Sequence, residues 1–374
     1  MIRRCPRHVA RGDGENSVFR GQSPMLRRSF RGWRVGVVGL VALLVAAAPA
    51  ASGSAEEGTV RVGIIGLDTS HATAFAKLLN TAADPQHVPG CRVVVACPRG
   101  SADIESSVRR IPEYTDIVRG LGVEIVADVA AVVERCDAVL LETNDGRPHL
   151  EQALPVLRAG KRMFIDKPVA GSLADAVAIY RAAAQAGVPV FSASALRFGT
   201  GSQAVRGGSI GEVTGCDTHS PCSLEATHPR LFWYGIHGCE SLFTVMGPGC
   251  ESVVGMRSAD TDVASGMWKD GRIGTFRGIR RGSAGYGGTA FGTKGGAPVG
   301  AFDGYRPLRV EIVRFFRGAA PPVDPAETLE LYAFMAAAEA SGDRGGAPVR
   351  IADVMAAAEA EATRRLEALG AAAR

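Results

Sequence analysis

From Val60 onward, short β-branched and apolar runs alternate with stretches whose apolar residues recur at helical spacing. The runs predict strands at Val60–Gly66, Arg92–Cys97, Glu124–Ala127, Ala138–Glu142, Met163–Asp166 and Val188–Ala193. Helical patterns fall between them, among them Ala72–Asn80, Ala130–Cys136, His149–Ala159 and Ala174–Ala186. Ser172 followed by Asp175 predicts the start of the last of these, a side-chain oxygen capping free amides. Strands that alternate with helices imply an α/β fold, a doubly wound parallel sheet whose ligand crevice lies at the carboxyl ends of its strands.

After about Ser194 the rhythm changes. Glycine and polar residues increase, and the strands become longer and alternating. Gly266–Arg280 reads as a hairpin with its turn at Lys269-Asp270-Gly271. A helix from about Pro325 to Ala340 and an Ala/Glu-rich helix at Ile351–Ala368 follow. The division predicted is a doubly wound, Rossmann-type α/β domain over 56–194 and an α+β domain over 195–374. The second contains an open sheet, which implies a homo-oligomer.

Residues 1–55 change the picture of charge and location. Arg27-Arg28-Ser29-Phe30-Arg31 precedes an apolar run, Val35–Ala48, that ends in Ala48-Pro49-Ala50. A charged region, a short apolar region and a small-residue site make a signal peptide, and the run is shorter than the ~20 residues of a membrane span. The paired Arg followed by Phe points to the Tat route, with Met25 as an alternative start, so the mature protein is expected outside the cytoplasm and free of the membrane. The formal charge of +4 comes from this leader, with nine Arg against two acids, and the remainder is mildly acidic. No basic patch is left to argue for a nucleic-acid partner. Seven cysteines follow the leader without a CxxC pair, and Cys216 and Cys222 are close enough in sequence to form a disulfide in an oxidising compartment.

The turn after the first strand carries the chemical question. A dinucleotide fingerprint needs glycines for a tight turn, for backbone approach to the pyrophosphate and for close helix packing. The chain reads Gly66-Leu67-Asp68-Thr69-Ser70-His71, with Asp68 and His71 where the second and third glycines belong. A carboxylate aimed at a diphosphate repels it, whereas an Asp bonded to nearby amides is ordinary turn chemistry. The second strand ends in Cys97-Pro98-Arg99-Gly100-Ser101 without an acid for the ribose, and Arg99 with Ser101 would suit a 2′-phosphate.

Two further motifs carry a family resemblance. Thr143, Asn144 and His149, with insertions around them, and Asp166-Lys167-Pro168 resemble the T-P-N-x-x-H loop and the E-K-P strand exit of the glucose–fructose oxidoreductase/inositol dehydrogenase (Gfo/Idh/MocA) family. Leu231–Gly247 resembles that family's helix D-x-G-x-H-x-x-D, with Gly235 and His237 matched, Glu240 for the last Asp and Trp233 for the first. The resemblance implies an NAD- or NADP-dependent oxidoreductase acting on a small carbohydrate or polyol. Lys167 would polarise the reacting oxygen and His237 would act as acid/base. Gly66, Asp68, Thr69, Ser70, His71, Arg99, Thr143, Asn144, Asp166 and Lys167 would line the cofactor crevice. His149, Trp233, Tyr234 and Glu240 would face substrate. No zinc-type spacing occurs, so no metal is assigned. Asp68, His71, His237 and Glu240, with His228, nevertheless form a rival set for a cofactor-independent or metal-assisted carbohydrate lyase or hydrolase. A non-catalytic carbohydrate-binding descendant is the other rival.

Overall fold

A computed structural model of the protein describes residues 58–372, and the leader expected over residues 1–55 lies outside them. Six strands form a parallel sheet: β1 (Val60–Ile65), β2 (Cys91–Cys97), β3 (Glu124–Ile125), β4 (Ala138–Leu141), β5 (Arg162–Ile165) and β6 (Val190–Ser192). Their order, β3-β2-β1-β4-β5-β6, is that of a doubly wound dinucleotide-binding sheet, as expected from the sequence. Helices α1 (Ser70–Asn80), α2 (Glu105–Gly120), α3 (Val129–Arg135), α4 (His149–Arg158) and α5 (Leu173–Ala186) connect them. The strands read as unbroken apolar runs because both faces are covered. Val62 and Ile64 of β1 join one buried cluster with Phe75 and Phe164, while Ile65 joins another with Leu141 and Ile165.

The predicted cap of α5 is present: the Asp175 amide donates to Ser172 Oγ at 3.1 Å, and Ser172 Oγ donates back to the Asp175 carboxylate at 2.8 Å. Gly187, at φ 65°, ends the helix. The sequence reading did not name α2, whose interior Pro112 and few buried positions blur its helical signal.

Beyond β6 come α6 (Thr200–Arg206), β7 (Val213–Pro221), α7 (Ile236–Met246), β8 (Cys250–Arg257), β9 (Thr261–Trp268), β10 (Ile273–Ile279), β11 (Gly287–Gly292) and β12 (Gly295–Val299). Then follow α8 (Arg306–Phe316), α9 (Pro325–Asp343), β13 (Val349–Arg350) and α10 (Ile351–Ala372). The second sheet runs β12-β11-β7-β10-β9-β8-β13. It is antiparallel except where β10 pairs with β7, and the predicted hairpin appears as β9 and β10 with Gly271 at φ 84°. Every residue of α7 is buried, which accounts for its apolar sequence all round.

Two C-terminal helices return to the first sheet. Leu308, Ile312 and Phe315 of α8 complete the cluster around Phe164 and Phe191, and α10 packs on α5. The seven cysteines among the described residues are free and buried, so Cys216 and Cys222 are not bridged. Among the described residues no helix is long and apolar enough to cross a membrane.

Candidate functional site

The register of the parallel sheet builds the site. Ile65 pairs with Leu141 and Leu141 with Ile165, so the next residues, Gly66, Glu142 and Asp166, leave three adjacent strands at one level. Gly66 has φ 99°, and a side chain there would come within 2.7 Å of Thr143 Cα. Only glycine meets both conditions. The chain then enters α1, whose N-cap is Thr69, accepting from the Ala72 amide at 3.2 Å.

The Asp68 carboxylate is not left free to oppose a diphosphate, one of the two readings that its sequence allowed. It is fully buried and accepts from Ser107 Oγ at 2.7 Å and from the Asn144 amide at 2.9 Å. Burial raises its pKa, against the lowering effect of those hydrogen bonds. Asp68 thus ties the first turn to α2 and to the loop after β4.

A second clasp lies beside it. Ser101 Oγ donates to Asp145 at 2.5 Å, and Arg147 bridges Asp145 and Asp103. His228 Nε2 lies 3.1 Å from Asp145. Burial of Asp145 is outweighed by these partners, which hold its carboxyl well below the usual range. Ser101 is therefore engaged, and Arg99 is exposed at the surface instead of facing the cavity.

A cavity of about 410 Å3 opens at the carboxyl ends of the strands. Thr69, Ser70, His71, Asn144 and Lys167 reach it from the carboxyl end of the first sheet, Trp233 and Tyr234 from the segment leading into α7, and His237 from α7 itself. Sequence reasoning missed Ser194, Tyr286, Phe302 and Tyr305 on its wall. The last three are aromatic residues in glycine-rich loops, a signal visible in the sequence but without periodicity to interpret it.

His237 Nδ1 is 2.7 Å from Ser194 Oγ, and the ring packs edge-on against Tyr234 and Tyr286. In the tautomer whose Nδ1–H donates to Ser194 Oγ, Nε2 is the nitrogen left to accept a proton. Burial, then the Lys167 charge, push the imidazole well below its ordinary pKa. Lys167 Nζ sits 3.9 Å from Asp166 Oδ2, which also receives His71 Nδ1 at 2.8 Å. Burial raises the Asp166 pKa, but its contacts with His71 and Lys167 prevail and bring it to about 2.

Other sequence candidates lie outside the cavity wall. His149 is fully buried, its ring nitrogens on the Val169 and Thr143 carbonyls at 3.1 and 2.8 Å, so it joins two loops and does not face substrate. Thr143 is buried and donates to Gln152 at 2.8 Å. Glu240 is buried against Arg197, which also bonds Glu327 at 2.6 Å, so it anchors α7 and does not line the cavity. The rival metal set of Asp68, His71, His237 and Glu240 therefore does not assemble.

Together the strand order of the parallel sheet, the open-sheet second half and a cavity holding lysine, histidine and a helix N-terminus define a Rossmann domain joined to an open-sheet domain. Residues 60–194 match a family model, GFO_IDH_MocA, described as an oxidoreductase family with an NAD-binding Rossmann fold. Over that segment the chain is similar to the Gfo/Idh/MocA oxidoreductases, as the motifs implied, and the cofactor of that class is a nicotinamide dinucleotide.

Solved structures extend the likeness in fold to both halves. A "probable dehydrogenase" from Thermotoga maritima is 22% identical, with a TM-score of 0.63 covering 79% of this chain and 100% of the other. A scyllo-inositol dehydrogenase from Lactobacillus casei with bound NAD(H) and scyllo-inositol is 17% identical, with a TM-score of 0.62 over 79% and 99%. An oxidoreductase from Agrobacterium radiobacter in complex with NAD+, L-tartaric acid and magnesium is 17% identical, with a TM-score of 0.59 over 79% and 99%. No curated protein matches the sequence.

The residues present fit such a cofactor at the first turn and at the nicotinamide end. The cradle at Gly66 excludes a side chain, Ser70 stands exposed at the start of α1, and Lys167 and Asn144 line the cavity. Asp68, with both oxygens already bonded, is compatible with that turn.

Proposed function

We propose that this protein is an exported oxidoreductase that transfers hydride between NAD(P) and a hydroxyl-bearing carbon of a sugar, polyol or related compound. The observation that carries the reading is that Lys167, at the exit of β5, and His237, on α7, share one aromatic-walled cavity. The nicotinamide, when bound, supplies the hydride acceptor or donor. Gly66, Thr69, Ser70 and Asn144 would hold the dinucleotide. Lys167 donates a hydrogen bond to the reacting oxygen and offsets charge that builds there. His237 Nε2 takes the hydroxyl proton. Trp233, Tyr234 and Tyr286 offer ring faces against which the apolar side of a sugar packs.

The polyol held by the Lactobacillus casei neighbour supports the substrate class. The Arg27-Arg28 leader supports export, and the exposed Met267–Ile273 pair on the second sheet supports a homo-oligomer. Mass spectrometry of the native and denatured protein, followed by assay of a polyol panel with NAD+ and NADP+, tests the reading. Bound or stabilising nucleotide and turnover lost in Lys167→Ala are expected. No nucleotide binding and no thermal shift with either cofactor would sink it. Sugar affinity without turnover would select the binding-module reading.

A further inference from the structure

Beneath the cavity, Glu142, Asp166 and His71 bring ligand atoms within 4.8 Å of one another. Glu142 and Asp166 follow adjacent strands, the Glu142 amide on Ile65 O at 2.7 Å and the Asp166 amide on Leu141 O at 2.9 Å. His71 reaches them from the first turn of α1, its ring held between Phe75 and Tyr305. Glu142 is fully buried, and neither carboxylate oxygen has a hydrogen-bond partner. Asp166 Oδ1 is likewise buried and unpartnered. A buried carboxylate with no partner is costly, so the site calls for positive charge or a proton at that point. Lys167 approaches Asp166, and buried Arg309 retains two unpartnered nitrogens while stacking over Phe75, yet neither cation bonds Glu142.

The geometry points to a divalent transition-metal site formed by His71, Glu142 and Asp166, at the floor of the Lys167–His237 cavity. One imidazole and two carboxylates suit Zn2+, Mn2+ or Fe2+, with Zn2+ the natural probe of a compact nitrogen and oxygen set. His71 is the one of the three that lines the cavity, so positions left open on the ion are expected on that side. The ion would exchange the His71–Asp166 contact for bonds from both residues and would supply the orphaned Glu142 oxygens. Its place beside Lys167 would add a Lewis acid to the cavity floor. The assignment does not require that the cofactor reading be right, because its readout is binding.

The chelator-treated, full-length protein is titrated with Zn2+ and with Mn2+, with binding read by calorimetry and thermal melting, and the Zn2+ form is examined by X-ray absorption. One ion per chain, a raised melting temperature and a nitrogen/oxygen-only shell are expected. Glu142→Gln, which keeps the side chain's shape, and His71→Ala should each weaken binding by roughly 100-fold or more. Wild-type protein that neither binds nor is stabilised by either ion would overturn the site and leave Glu142 as a buried neutral acid. Undiminished binding in both variants, or sulfur in the shell, would equally overturn it. The X-ray absorption shell decides the question even if a variant fails to fold.

Discussion

In the mechanism proposed, Lys167 and His237 carry separable roles, which a substitution and a pH profile should show. Lys167→Ala would remove the proposed donor to the reacting oxygen and is expected to lower kcat/KM by roughly 10²–10⁴-fold, measured with the best polyol of the panel. His237 is disfavoured as an imidazolium by burial and by Lys167, so its pKa falls and the basic form persists into acid. The acid limb of kcat/KM should therefore lie well below the ordinary histidine value of about 6.5. A limb at or above that value would remove His237 as the base. Gly66→Ala sets a side chain against Thr143 in a left-handed conformation and should cost at least about 2 kcal/mol by denaturant melting. At this scale the sequence showed Gly66, Lys167 and His237 through their motifs. Glu142 was not legible, because it reads as the last residue of an apolar strand and gains meaning only from Asp166 and His71.

Among elements, α7 is the one whose placement decides the site. It is buried on all sides, and its anchor is the chain Arg197–Glu240 with Arg197–Glu327 and Arg206–Glu327, joining the β6 exit, α6, α7 and α9. Burial disfavours the ionised Glu240 and Arg197 offsets it. Removing one partner leaves buried charge uncompensated, so Arg197→Met should destabilise by about 3–5 kcal/mol in chemical denaturation. A loss below about 1 kcal/mol would mean that the network contributes packing alone. The sequence located α7 through its family motif but set Glu240 toward substrate. It could not see Arg197, which approaches from a different segment. The capped α5 was readable because Ser172 and Asp175 act within one turn, whereas α8, which the sequence reading did not name, follows an irregular loop and has no side-chain cap.

For the whole molecule, the outward positions of the second sheet remain exposed, with Met267 opposite Ile273 and with Met256 and Phe291 also uncovered. An oligomer that uses this face should dissociate on Ile273→Asp, read by analytical ultracentrifugation, while the cavity is left intact. A wild-type monomer at working concentration would remove that reading. The order of elements, the parallel sheet and the open second sheet were determined by the sequence itself, because hydrophobic period, β-branched runs and caps are properties of neighbours along the chain. The tertiary structure decided which polar residues share a space. It turned Asp68 into a brace, closed His149 and Glu240 into the protein's interior, and brought Glu142 to His71 and Asp166. Those contacts join residues far apart in the chain, and strand register and helix packing, not local sequence, set the distances between them.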